Sequence, residues 1–198
     1  IYKGEYVGLY CKGCEAFLSE NDLVEGDCPY HKTVPETIKE ENYFFKLTKY
    51  REDLLNYIDA NPTFIMPKKR RNEVRSYVEN FMTDISISRS SMEWGIPVPG
   101  DEDHRIYVWF DALINYLTGV GYGKDDAQFE KFWPASLHIV GKDIIKFHCA
   151  LWPAMLMPAG LPLPKHVFAH GFFTVDGQKM SKSLGNVVDP VETAKDFG

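Results

Sequence analysis

Three short apolar runs in the second half of the chain constrain its fold more than any other feature. They occupy residues 106–110, 137–141 and 167–169, and each has the length and composition of a buried strand. Helical patterns separate them, over residues 111–117 and residues 143–157. Because strands that alternate with helices are typical of a parallel sheet covered by helices, the pattern predicts an α/β fold.

The predicted sheet also indicates where a ligand should bind. In sheets of this kind ligands lie beyond the carboxyl ends of the strands. Those ends are residues 109–111, 141–143 and 170–171. Gly141 would let a nucleotide approach the backbone, and the Asp143 carboxylate can bind ribose hydroxyls. Asp143 could equally cap a helix, because aspartate is favoured at helix starts.

The first forty residues are Gly-rich and turn-rich, and two helical patterns follow them. In residues 42–60 apolar side chains recur at helical spacing until Asn61-Pro62 stops the run. In residues 67–82, Pro67 suits the first helical position and an apolar stripe follows it. The basic residues 68–71 are interpreted as a solvated charged face rather than as an RNA contact.

A cluster of cysteines lies in the Gly-rich part. Cys11-x2-Cys14, thirteen residues, and then Cys28-x2-His31 is the spacing of a zinc site, since two tight turns can present four ligands as a tetrahedron. With four protein ligands such a site is closed and structural. The alternative is three unrelated buried thiols. The fourth cysteine, Cys149, stands alone, so paired disulfides are not expected and an intracellular protein is favoured.

The most informative segment is a lysine-serine loop over residues 176–186, in which two lysines and two serines alternate between glycines. Ammonium groups and hydroxyls are donors suited to phosphate oxygens, and the glycines let the loop move. Such a loop can stabilise the charge that develops on a leaving pyrophosphate. Composition alone favours a solvated surface turn, whereas the string Lys179-Met180-Ser181-Lys182-Ser183 favours a functional loop.

That string matches the KMSKS signature of class I aminoacyl-tRNA synthetases, and the segments around it resemble the methionyl-tRNA synthetase family. The matching segments are residues 41–47, 87–89, 94–97, 107–112, 138–148 and 169–172. The resemblance covers essentially the whole chain. The zinc ligands depart from the four-cysteine version of the family, with His31 as the fourth ligand, and are similar to those of a subset of its members.

The resemblance implies a division of the chain. Residues 1–103 would be a connective insertion with a zinc knuckle and helices, and residues 104–198 the second half of a Rossmann-like catalytic domain. Both ends look cut. The family's HIGH motif is expected upstream of Ile1, and its anticodon-binding domain downstream of Gly198.

The resemblance also implies roles for individual residues. Lys179, Lys182 and Arg89 are expected to act in catalysis, Arg89 by reaching the substrate carboxylate or phosphate. ATP is expected to contact Gly141, Asp143, His170, Gly171, Lys179, Ser181, Lys182 and Ser183. Methionine is expected to contact Trp109, Leu113, Tyr116, Ile144, Phe147, His148 and Trp152. Without the family, most of the methionine set would be interpreted as core, and Arg89 as a surface arginine.

The implied activity is activation of methionine by ATP, with Mg2+, and its transfer to tRNA(Met) in the cytoplasm, with Zn2+ in a structural role. The fragment alone is expected to be inactive. A net charge of −6 argues against a chain coated with nucleic acid, and no apolar stretch is long enough to span a membrane. Two alternatives remain: a class I synthetase for leucine, isoleucine, valine or cysteine, and a zinc-bearing RNA-binding or interaction module without activity.

Overall fold

The structure is a computed structural model that describes residues 1–13, 16–18, 20, 23–90, 92–180 and 185–198, with only the backbone of Ala16, Phe17 and Lys179. The chain divides into two compact units, Ile1–Glu52 with Phe81–Phe129, and Asp53–Asn80 with Glu130–Gly198. Within the described residues, no helix combines the length and the apolar character needed to cross a membrane. The domain boundary expected between residues 103 and 104 stays a prediction.

The strands and helices are numbered in chain order. The strands are β1 (Tyr2–Cys11), β2 (Ala16–Leu18), β3 (Glu36–Phe45), β4 (Ile65–Met66), β5 (Ile85–Ser86), β6 (Ser88–Arg89), β7 (Pro97–Val98), β8 (Asp101–Ile106), β9 (His138–Gly141), β10 (Val167–His170), β11 (Thr174–Val175) and β12 (Gln178–Lys179). The helices are α1 (Arg51–Ala60), α2 (Lys68–Asn80), α3 (Val108–Ala112), α4 (Asn115–Thr118), α5 (Asp126–Phe132), α6 (Trp152–Leu156) and α7 (Pro190–Phe197). A 3-10 turn over Leu47–Tyr50 precedes α1, and a π-helical segment over Phe147–Leu151 precedes α6.

A long antiparallel hairpin dominates the first unit. β1 and β3 pair over almost their whole length, and β2 and β5 complete the sheet in the order β2-β1-β3-β5. The prediction that the first forty residues are rich in turns is therefore wrong for the residues of β1. Gly4 and Gly8 lie inside that strand, opposite Asn42 and Ile38.

The helix predicted over residues 42–60 begins later than expected, because residues 42–45 complete β3. Residues 42–44 pair with β1 on one side, and residues 44 and 45 pair with β5 on the other, so partners outside the segment override its helical spacing. From residue 47 onward the prediction is confirmed by the 3-10 turn and α1. The helix predicted over residues 67–82 is confirmed as α2.

A parallel sheet in the order β4-β10-β9 forms the centre of the second unit. β9 and β10 are the strands predicted over residues 137–141 and 167–169, and they lie side by side with Gly141 opposite His170. The α/β class with a parallel sheet is confirmed. The pairing brings the carboxyl ends of two predicted strands to one edge of the sheet.

The strand predicted over residues 106–110 is wrong. Only Ile106 belongs to a strand, β8, and β8 lies in an antiparallel sheet of the first unit in the order β6-β8-β7. Residues 108–112 form α3 instead, since a short apolar run does not distinguish a buried strand from a helical segment. The third strand of the parallel sheet is β4, which pairs with β10.

The helix predicted over residues 143–157 is observed from residue 145, with an irregular turn. It is π-helical over Phe147–Leu151 before α6 begins. Pro153 in α6 has no N–H to donate to the carbonyl four residues earlier, and a wider turn is the expected response. His148, Leu151 and Trp152 are each at most 2% exposed, so this segment belongs to the core of the second unit.

Candidate active site and metal centre

The carboxyl edge of the parallel sheet brings together four of the eight predicted ATP-binding residues, Gly141, Asp143, His170 and Gly171. Gly141 ends β9 opposite His170, which ends β10. The backbone N–H of Lys142 donates to the carbonyl oxygen of His170 at 2.9 Å, and that of Ile144 donates to Gly141 at 3.2 Å. Residues 141–143 and 170–171 therefore lie at neighbouring positions of one sheet edge, where the sequence pattern placed them.

The two glycines at this edge differ in the space around them. A Cβ built on Gly141 would lie 2.5 Å from an oxygen of the exposed Asp143 carboxylate. A Cβ built on Gly171 meets nothing within 4 Å among the described residues. Gly171 thus leaves its backbone open to a ligand, whereas the exposed Asp143 carboxylate occupies the space over Gly141.

Aromatic and basic side chains border the same edge. The Nδ1–H of His170 donates to the carbonyl oxygen of Gly171 at 2.6 Å, and its ring lies 5.3 Å from that of Phe173. The ammonium group of Lys142 lies 4.6 Å from the centre of the Phe172 ring. A cation and several ring faces so close to open backbone suit a nucleotide, whose base stacks and whose phosphates are anionic.

Four of the predicted methionine-binding residues follow β9 directly. Ile144 and Phe147 are half-buried, and His148 and Trp152 are buried in the second unit. The Trp152 ring packs edge-on against Trp133 with a centroid distance of 5.9 Å. Their surroundings are apolar and aromatic, and sulfur-containing side chains contact such groups favourably.

The buried imidazoles of His148 and His138 are held in the neutral form. Nδ1 of His148 donates to the carbonyl oxygen of Ile144 at 3.0 Å, and its ring lies 6.0 Å from that of His138. Burial lowers the pKa of His148. Burial, with a smaller contribution from His148, lowers the pKa of His138 to about 4. Neutral rings can contact sulfur or donate one hydrogen bond without placing a charge in the core.

The other three predicted methionine-binding residues lie in the first unit. Trp109 stands on α3, and not at a strand end as the sequence pattern indicated. Leu113 is 1% exposed, whereas Trp109 and Tyr116 are half-buried. Leu113 directly follows α3, and Tyr116 lies on α4. Burial raises the pKa of Tyr116, so its hydroxyl stays protonated.

Arg89 is held tightly by its surroundings in the first unit. Its Nη1 donates to Oγ of Ser86 at 2.7 Å and to the carbonyl oxygen of Ser88 at 2.8 Å. The guanidinium carbon lies 4.6 Å from the centre of the Tyr107 ring and 5.5 Å from that of Tyr6. The sequence did not indicate the contacts with Tyr6 and Tyr107, because no local spacing relates residues that lie so far from Arg89 in the chain.

Three of the four predicted metal ligands form a compact cluster, and Cys14 lies outside the described residues. Nδ1 of His31 lies 3.7 Å from Sγ of Cys11 and 3.8 Å from Sγ of Cys28, and the three ligand atoms are within 4.8 Å of one another. Two ligands of a tetrahedral zinc ion are about 3.6–3.8 Å apart, so the donor set fits zinc. No disulfide joins the described cysteines.

Local backbone brings these ligands together. Cys11 ends β1, and a tight turn, in which the N–H of Lys32 donates to the carbonyl of Cys28 at 2.8 Å, presents Cys28 and His31. A Cβ on Gly13 would lie 2.5 Å from the His31 ring. Glycine at this position therefore lets the imidazole close over the first turn.

The lysine-serine loop is described only in part. β11 and β12 form a hairpin whose turn residues, Asp176 and Gly177, have φ of 52° and 78°, as a two-residue hairpin turn requires. The backbone of Lys179 ends β12. Ser181, Lys182 and Ser183 lie outside the described residues. A short hairpin thus forms the start of the lysine-serine loop.

Two residues of the basic run at the start of α2 form ion pairs. Arg70 contacts Glu73 at 2.6 Å, and Arg71 contacts Asp59 at 3.0 Å. Arg75, one turn further along α2, also contacts Asp59 at 3.0 Å. These pairs agree with the interpretation as a charged surface.

The fold and the site define a class of protein. The family model described as "tRNA synthetases class I (M)" matches residues 2–198, and the chain therefore belongs to that family of class I tRNA synthetases. The resemblance inferred from the motifs is confirmed.

The particular relatives are ligases for methionine. The chain is 52% identical to the methionine–tRNA ligase of Thermotoga maritima and 55% identical to that of Clostridium acetobutylicum, over 100% of its own length and 32% and 31% of theirs. A crystal structure of Mycobacterium tuberculosis methionyl-tRNA synthetase bound by methionyl-adenylate superimposes with a TM-score of 0.84 at 48% identity, covering 100% of this chain and 40% of that one. The chain thus spans about a third of the length of these curated relatives.

Proposed function

We propose that this chain is part of a methionine–tRNA ligase, which activates methionine with ATP and transfers it to tRNA(Met). The observation that carries the proposal is the likeness over the whole chain to a synthetase whose structure holds methionyl-adenylate. The relatives named above are ligases for methionine, which favours this amino acid over leucine, isoleucine, valine or cysteine.

ATP binds at the carboxyl edge of the parallel sheet in this proposal. Gly141 and Gly171 bring the backbone close to the nucleotide, and the Asp143 carboxylate accepts hydrogen bonds from the ribose hydroxyls. His170 lies beside Gly141 at the adjacent strand end, which supports its assignment to the same ligand. The phosphates extend to Lys179, Ser181, Lys182 and Ser183.

Two sets of residues contact the methionine. The first set is Trp109, Leu113 and Tyr116, and the second is Ile144, Phe147, His148 and Trp152. A thioether contacts aromatic rings favourably, whereas leucine and isoleucine have no sulfur. An apolar pocket alone discriminates only modestly between methionine, leucine and isoleucine in kcat/KM. The polar ends of the Tyr116 and His148 side chains therefore add to the selectivity for methionine.

The first chemical step needs little acid–base chemistry. An oxygen of the methionine carboxylate attacks the α-phosphorus of ATP, an oxygen–phosphorus bond forms, and the bond to pyrophosphate breaks. The carboxylate is ionised at pH 7, so no general base is required. Lys179 and Lys182 hold the phosphates, and Arg89 orients an anionic group with its planar guanidinium. When bound, Mg2+ supplies further positive charge to the phosphates.

In the second step a hydroxyl of the terminal adenosine of the tRNA attacks the methionyl carbonyl, and AMP leaves. The zinc site takes no part in either step. Cys11, Cys14, Cys28 and His31 would hold Zn2+ with no position left for a reactive water, so the metal stabilises the turns around it.

Methionine-dependent exchange of pyrophosphate into ATP tests the proposal. It is measured on this chain alone and on the chain joined to the preceding part that its relatives carry, with leucine and isoleucine as controls. Exchange with methionine in the joined protein, and none in the chain alone, is the expected result. Absence of exchange in both, with the proteins folded and zinc bound, would favour the RNA-binding or interaction module instead.

A further inference from the structure

The hairpin that ends in the metal ligands also reaches Arg89 through one side chain. Tyr6 lies in the middle of β1, and Cys11 ends the same strand. The Tyr6 ring is 5.5 Å from the guanidinium carbon of Arg89, and burial of its ring raises the pKa of Tyr6, an effect that the Arg89 charge opposes. An aromatic ring in this position is a stacking partner for the guanidinium.

Two hydrogen bonds hold one end of the Arg89 guanidinium. Nη1 donates to Oγ of Ser86 and to the carbonyl oxygen of Ser88, and both residues are at most 6% exposed. Oγ of Ser86 also donates to that carbonyl oxygen, at 3.1 Å. These bonds hold Nη1 against a buried part of the first unit.

The rings of Tyr6 and Tyr107 both lie against the guanidinium of Arg89. Tyr107 follows β8 directly in the chain, and its ring centre is 4.6 Å from the guanidinium carbon. Tyr6 is itself supported by Phe44, whose ring lies 6.4 Å away on the paired strand β3. The support of Tyr6 therefore comes from the long hairpin, which is stiffened by continuous pairing.

We propose that Tyr6 is a positioning residue for Arg89, whose guanidinium it holds in the plane that binds an anionic group of the substrate. The inference rests on the role of Arg89 in the proposed function. A guanidinium binds two oxygens at once only when its plane faces them, so the loss of the ring weakens binding without removing the charge.

The test compares Tyr6→Leu and Tyr6→Phe in the full-length ligase that carries this chain. Pyrophosphate exchange should fall about tenfold in kcat/KM for Tyr6→Leu, the size of a lost cation–π contact, and stay near wild type for Tyr6→Phe. Tyr2→Leu is the matched control, because Tyr2 lies on the same strand and stacks on Phe44 at 5.4 Å. Equal losses for Tyr2→Leu and Tyr6→Leu would overturn the inference.

A double variant separates positioning from general damage to the fold. If Tyr6 acts through Arg89, Tyr6→Leu combined with Arg89→Ala is no less active than Arg89→Ala alone. If the double variant instead shows the product of the two single losses in kcat/KM, the inference is overturned. It is also overturned if Tyr6→Leu is fully active while Arg89→Ala is impaired. Full activity of Arg89→Ala would instead refute the role of Arg89 itself. Zinc content and the thermal unfolding midpoint identify a misfolded variant. If Tyr6→Leu is misfolded, Tyr6→Met takes its place in the comparison with Tyr6→Phe, because methionine is unbranched and has no ring.

Discussion

At the residue scale, Gly141 and Asp143 share a space too small for one more carbon atom. The Asp143 carboxylate lies where the Cβ of any other residue at position 141 would be, at 2.5 Å. Because this carboxylate is the exposed end of a side chain, it can turn away at low cost. The contact therefore matters for where the carboxylate points rather than for stability.

Gly141→Ala should consequently impair ATP binding more than folding. We expect the KM for ATP in the full-length ligase to rise about tenfold, because a displaced carboxylate loses a charge-assisted hydrogen bond to the ribose. The free energy of unfolding should change by less than about 1 kcal/mol. Exchange kinetics at varied ATP and urea unfolding measure the two effects, and Asp143→Ala should raise the KM similarly. An unchanged KM in both variants would contradict the assignment to ribose.

At the element scale, the metal cluster ties a long connection to the end of a strand. Cys11 ends β1, whereas Cys28 and His31 lie in the segment between β2 and β3. The pairing of β1 with β3 runs to Tyr10 opposite Glu36 without any metal ligand. The metal is thus expected to order the connection, while the hairpin holds itself together by its own backbone bonds.

Cys28→Ala should abolish zinc binding, whereas Cys149→Ala should retain it. Both cysteines are 0% exposed, but Cys149 lies outside the cluster and burial raises the pKa of its thiol. Elemental analysis of the purified proteins measures the metal. Chelation of the unmodified protein should speed hydrogen exchange over residues 12–35 and leave β1 and β3 protected. Equal zinc in the two variants, or loss of protection in both strands on chelation, would contradict this account.

At the scale of the whole molecule, the core of the second unit contains two histidines whose imidazoles are neutral in the folded protein. His138 is 6% exposed and His148 is 1% exposed, and their rings touch. A protonated imidazole there would place a charge in an apolar environment. The unfolded chain carries no such restriction, so folding and protonation are linked.

Stability should fall as the pH falls from about 6.5 towards 4. The pKa of His138 is lowered from 6.5 to about 4 in the folded state, so within this window the unfolded chain binds a proton that the folded chain does not. The free energy of unfolding then decreases by up to roughly 1.4 kcal/mol per pH unit from this histidine alone.

Urea unfolding at a series of pH values measures this dependence. The pKa values of carboxylates such as Asp59 and Asp84 are also lowered in the folded state, so their protonation at low pH destabilises the protein as well. The pH dependence of the unfolding free energy must therefore be compared between the unmodified protein and His138→Gln. The variant should have a shallower slope between pH 6.5 and 5. Identical slopes would mean that His138 takes up its proton in the folded state.

Several elements and part of the site could be predicted from the sequence because their signals are local. β9, β10 and α2 are bounded by their own apolar patterns and by glycine or proline. Two strand ends then place Gly141 beside His170, since parallel strands share an edge. The cysteine spacing predicts a metal cluster for the same reason, as each pair of ligands lies in one turn.

Tertiary structure decided what local patterns leave open. Residues 108–112 form a helix and residues 42–45 a strand, although their apolar spacing indicated the opposite. The contact of Tyr6 with Arg89 exists only because the hairpin brings distant residues together. The sequence by itself determined which segments are apolar, where turns and ligands occur and which family the motifs resemble; the partners available for backbone hydrogen bonds and ring contacts, which lie outside each segment, decided the rest.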